Sequence, residues 1–119
     1  MDWLIRFLGH IPAAKRLVGL LFQRHLHQRS SIVLVADELD YNAGELDNDR
    51  TAAEKFDTVS FAAWDANNRD VQLRLRNDPE LWRDVSSAYS ELRRMKGGVP
   101  ASGPERYRET ARKLRATLK

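Results

Sequence analysis

The amino-acid sequence predicts an all-α fold, with a long N-terminal helix packed in a helical hairpin or small bundle with two further amphipathic helices. Three observations carry this reading. Apolar residues recur three and four positions apart in separate stretches. Helix start and stop signals bracket those stretches. The one alternating segment, residues 71–76, has no second strand to pair with, and a lone strand is not stable.

The chain opens with Trp3, Leu4, Phe7, Leu8 and Ile11 on one helical face, interrupted by Gly9 and by Pro12, which favours the first turn of a following helix. From Ala13 to about Leu46 no proline intervenes, so one long helix is expected, with a bend near Ser30 and Ser31. Its second half has a seam of Ile32, Val35, Leu39, Asn42 and Leu46, spaced as in a helix packed along its length. Asp37, Glu38, Asp40, Glu45 and Asp47 lie mostly off that seam and are expected in solvent. Residues 47–57 read as a loop. Thr58 or Ser60 is expected to cap a short helix carrying Phe61 and Trp64, residues 67–70 read as a turn, and residues 71–76 as a loop or helical turn. Asp78, Pro79 and Glu80 form a strong helix start. The helix they open is expected to bury Leu81, Val85, Ala88, Leu92 and Met95, with Trp82 and Tyr89 flanking. Gly97 and Gly98 stop it. A last helix from Pro104 carries Tyr107, Ala111, Leu114 and Leu118 as a narrow stripe.

With 119 residues and 42% hydrophobic composition the chain is expected to form one core. The division expected is a basic, apolar segment, 1–29, ahead of a helical domain, 30–119. The absence of cysteine removes disulfides and thiolate metal sites and leaves the redox compartment open. Net charge is +3, but residues 1–29 carry +4, residues 30–92 carry −8 and residues 93–119 carry +7. Such segregation serves either an outside anionic partner or internal pairing of basic ends with the acidic middle. Internal pairing is the favoured reading.

Residues 1–29 do not read as a transmembrane helix. A span needs about 20 predominantly apolar residues, and one here would bury several of Arg6, Lys15, Arg16, Arg24 and Arg29 at about 2.5–3.5 kcal/mol each. A cleaved secretory signal is poorly supported, because Asp2 sits in the start region and no small-residue cleavage site follows the apolar block. An amphipathic segment on a membrane surface is physically allowed, as is packing against protein. The partner- or membrane-facing residues are Trp3, Leu4, Phe7, Leu8, Leu17, Leu20, Leu21 and Phe22. Together they hold more apolar surface than a small monomer leaves exposed.

Little in the chain reads as catalytic or metal-binding. His25 and His27 are two apart and point to different sides of a helix, whereas a helical metal pair needs spacing of three or four. No nucleophile elbow or phosphate-cradling glycine loop is present. No cofactor, metal site or catalytic residue is therefore expected, and the chain is not read as an enzyme. The cations from Arg93 to Lys119 allow a nucleic-acid reading through phosphate charge. The acidic middle opposes it, and no recognition motif accompanies the patch. Asn42 is the oddity of the seam. It either fixes register or oligomeric state or hydrogen-bonds a loop backbone near Phe61 and Trp64; the second reading is favoured.

Three pieces carry a resemblance: residues 34–46, with Glu38, Leu39 and Asn42; Phe56, Asp57 and Thr58 with Phe61 to Asp65; and the helix from Asp78 to Arg94. Over residues 13–96 the chain resembles small prokaryotic helical proteins of unassigned function, often with an N-terminal membrane-anchoring helix. The resemblance implies an all-helical fold, membrane proximity, and packing or bundle-closing roles for Leu39, Asn42, Thr58, Trp64 and Tyr89. This chain departs from those proteins at its N-terminal segment, which is basic and interrupted. The function expected is non-enzymatic helical interaction by an accessory protein. Residues 1–29 would meet a protein partner, a second copy or a membrane surface, in a cytoplasmic protein peripheral at the membrane. The alternative is a small nucleic-acid-binding protein using the basic C-terminal helix.

Overall fold

The computed structural model describes residues 30–118, and these form an all-helical arrangement. The helices are α1 (Ser31–Leu46), α2 (Ala52–Phe56), α3 (Ala62–Arg74), α4 (Pro79–Arg94), followed by a 3-10 turn at Met95–Gly97, and α5 (Pro104–Ala116).

Helix α1 begins where an acceptor side chain meets extended backbone. Ser30 has φ −68° and ψ 153°, and its hydroxyl accepts from the Val33 N–H at 3.3 Å. The expected continuous helix through Ser30 is therefore interrupted there, since an extended residue cannot carry helical hydrogen bonds across itself. The earlier part of that expectation lies outside the described residues. The seam from Ile32 to Leu46 is buried throughout, and Leu34, Ala36 and Ala43 are buried beside it. Helix α1 is the central element.

Its closest neighbour is α5, then α3. Ala36, Ala43 and Ala111 are fully buried, and Tyr89 and Leu92 of α4 are buried with them.

The connection expected as a loop over 47–57 contains α2. Thr51 opens it with a reciprocal cap: its hydroxyl accepts from the Glu54 N–H at 3.3 Å, and Glu54 Oε1 accepts from the Thr51 N–H at 3.4 Å. Helix α3 absorbs the expected turn at 67–70. Asn67 and Asn68 donate back to the carbonyls of Ala63 (2.8 Å) and Trp64 (3.0 Å) instead of breaking the helix. The alternating segment that follows is the end of the same helix. Val71 and Leu75, four apart, are buried, and Leu73 between them is 62% exposed. Of the two readings expected for residues 71–76, loop or helical turn, the second is the one observed.

Helix α4 starts as expected, with Asp78 accepting from the Leu81 N–H at 3.1 Å and Pro79 in the first turn. Leu81, Val85, Ala88, Leu92 and Met95 are buried. Gly98, at φ 89°, ends the 3-10 turn in the left-handed region that favours glycine. On α5, Tyr107, Ala111 and Leu114 are buried, but Leu118 lies past the end of the helix and is 46% exposed, so it does not belong to the stripe.

Candidate functional site

The most concentrated chemistry among the described residues is a buried polar knot where α1 meets the start of α3. Phe61 occupies the capping position of α3 and offers no acceptor side chain, and Ser60, one of the two caps expected, reaches only the Ala62 N–H, at 3.4 Å. The next N–H groups, of Ala63 and Trp64, would be orphaned in the interior. Helix α1 supplies the missing acceptor across space. Glu38 Oε2 accepts from the Ala63 N–H (2.8 Å) and the Ser60 hydroxyl (2.8 Å). Its Oε1 accepts from the Trp64 N–H (3.0 Å) and the Tyr89 hydroxyl (2.8 Å). One turn further along α1, Asn42 donates to the Ser60 carbonyl (2.9 Å) and accepts from the Ser60 N–H (2.7 Å). Asn42 thus hydrogen-bonds loop backbone beside Phe61 and Trp64.

Glu38 corrects the sequence reading, which placed it on a solvated face; it has no exposed surface. It belongs to a row with Leu34 and Asn42 at successive intervals of four, all turned inward. The N-terminal end of a helix favours a negative group, and four donors surround the carboxylate. Desolvation is nevertheless the larger effect, and burial pushes the Glu38 carboxyl above its ordinary range. Tyr89 is pushed well above the usual phenol range by its own burial and then by the neighbouring Glu38, so it stays a neutral donor.

Tyr89 was expected to flank its helix and is instead core. Its ring is the base of an aromatic series. Trp64 stacks on it at 4.6 Å between centroids and 7° between planes, and Trp82 stacks on Trp64 at 5.5 Å. Phe61 lies 6.3 Å from Tyr89 on the other side, with the Arg93 guanidinium 4.4 Å above its ring. Trp64 and Trp82 are half-buried, so their outer edges form part of the surface. Trp64 is held from two sides, its ring on Tyr89 and its N–H on Glu38 of α1.

The basic C-terminal helix faces acids of the middle segment. Arg115 reaches Asp37 (2.9 Å) and Asp40 (2.6 Å) on α1, Lys113 reaches Asp84 (3.8 Å), and Arg106 pairs with Glu91. Arg108 lies between Glu105 (2.6 Å) and Asp47 (3.9 Å). Internal charge pairing is therefore observed for residues 106–115.

The residues expected to face a partner or membrane, Trp3, Leu4, Phe7, Leu8, Leu17, Leu20, Leu21 and Phe22, lie outside the described residues, as do His10, His25 and His27. No described helix is long and apolar enough to cross a membrane. The polar knot combines groups that sequence reasoning placed separately: Asn42 as a cross-bundle donor, Glu38 as surface, Tyr89 as a flank. The available signal was the row of Leu34, Glu38 and Asn42 at successive intervals of four, which puts Glu38 on the face of Asn42. Comparison of the chain with protein-family models, curated proteins and solved structures finds no match in any of the three.

Proposed function

We propose that the protein is a non-enzymatic helical interaction or accessory protein whose apolar-basic residues 1–29 meet a protein partner, a second copy or a membrane surface. The observation that carries this reading is the use made of the buried polar groups. Both oxygens of Glu38 are engaged by donors of the same chain, and the carboxylate has no exposed surface from which to meet a substrate. The knot ties three helices into a rigid body. The stripes of α1, α4 and α5 are already buried, since Leu39, Val85, Leu92, Ala111 and Leu114 have no exposed surface. The apolar side chains of residues 1–29 come in addition to that core. The nucleic-acid alternative is the weaker reading, because the cations of α5 already face carboxylates.

The test is sedimentation of the full chain, alone and with saturating anionic vesicles, beside Phe7→Glu and Leu20→Glu. The wild type is expected to self-associate or co-sediment, and the two variants to lose both behaviours while keeping a cooperative melt. A wild type that stays monomeric and ignores vesicles, with variants that unfold, would make the segment ordinary core. Polyanion binding that disappears above about 0.3 M salt would favour the nucleic-acid alternative.

A further inference from the structure

We infer that, when no outside partner is present, the apolar segment around Leu17, Leu20 and Leu21 lies on the body of its own chain, over a shelf formed by the end of α3 and the start of α4. This goes beyond the proposed function by assigning the segment an intramolecular resting place.

The shelf is a shallow depression of about 500 Å³ lined mainly by carbon, with Leu73, Leu75, Pro79 and Trp82 as its apolar members and Gln72 and Arg76 at its edge. Leu73 is the most exposed large hydrophobic side chain among the described residues, at 62%. Trp82 ends the aromatic series there and is half-buried. Such a surface is lowered in free energy by an apolar cover.

The occupant follows from where the undescribed part of the chain joins the body. Residues 1–29 reach α1 at Ser30, and the hydroxyl of the next residue, Ser31, hydrogen-bonds Asp70 of α3. Asp70 is one helical turn from Leu73. The chain therefore joins beside the shelf, roughly 5 Å along α3 from it at 1.5 Å per residue. Leu17, Leu20 and Leu21 precede Ser30 by nine to thirteen positions, a reach of roughly 14–20 Å even if wholly helical. A tether this short holds a segment at millimolar effective concentration near its site. At low protein concentration a second copy cannot match that.

The absence of cysteine allows a clean test in the full chain. Leu73→Cys is combined in turn with Leu17→Cys, Leu20→Cys and Leu21→Cys. The reference pairs place the same N-terminal cysteines against Val99→Cys, at an exposed site beyond the far end of α4. Each protein, at about 1 μM without vesicles, is equilibrated with glutathione redox buffer, and the effective concentration of the two thiols is read from the disulfide fraction. At least one Leu73 pair is expected to form a monomer-mass disulfide with an effective concentration about fivefold or more above its Val99 reference. Any smaller preference, or a product only of dimer mass, overturns the inference. Either result leaves vesicle binding and self-association at high concentration to be decided by the sedimentation experiment.

Discussion

Replacing Glu38 with alanine removes one acceptor from four donors at once and leaves the Ala63 and Trp64 N–H groups facing a dry interior. Breaking a buried charged arrangement from one side costs about 3–5 kcal/mol, and Glu38→Ala is expected to fall in that range in a denaturant titration. Tyr89→Phe deletes a single donor to the same carboxylate and is expected to cost about 1–3 kcal/mol. A Glu38–Tyr89 double-mutant cycle should show the two effects to be non-additive. The Tyr107 hydroxyl offers the opposite case: it is buried with no hydrogen-bond partner among the described residues. Tyr107→Phe is therefore expected to be neutral or stabilising by up to about 1 kcal/mol. The pH dependence of the knot follows from the raised carboxyl of Glu38. A folded-state pKa above the unfolded one means that the native state holds the proton more tightly, so stability falls as pH rises between the two values. The stability of wild type relative to Glu38→Gln is expected to decline from the ordinary carboxylate range upward and to level off above the raised value. A difference that grows with pH would contradict the dominance of desolvation.

At the level of elements, the legible features were those that local chemistry decides. Asp78 with Pro79 placed the start of α4, Gly98 its end, and the three-and-four spacing of Ile32 to Leu46 the inward face of α1. Leu39→Ala is expected to destabilise by about 2–5 kcal/mol, since the side chain is wholly enclosed; a change below about 0.5 kcal/mol would put that residue at the surface. Features that depend on partners distant in sequence were not legible. The start of α3 was expected to take its cap from Thr58 or Ser60, whereas its main acceptor, Glu38, lies 25 residues before Ala63. Asn67 and Asn68 looked like a turn, as these residues often are, but they lie inside α3 with their side chains bonded back to Ala63 and Trp64. That α5 is the closest neighbour of α1 is likewise a contact between segments distant in sequence, which spacing alone does not reveal.

Over the whole molecule, the segregated charge of the sequence becomes partly a packing device, with Arg115 on α5 bridging Asp37 and Asp40 on α1. These groups remain partly solvated, so Arg115→Gln is expected to cost less than about 1 kcal/mol, and less still at high salt. Within the shared apolar core, the polar knot joins α1, α3 and α4 through a single carboxylate. Native-state hydrogen exchange at the amides of Ala63 and Trp64 in the full chain tests this most directly. If Glu38 caps α3 as an integral part of the core, both amides exchange only through global unfolding, with opening free energies matching those of the α1 core near Leu39. Exchange at Ala63 and Trp64 as rapid as at the exposed residues around Val99, while α1 stays protected, would contradict it.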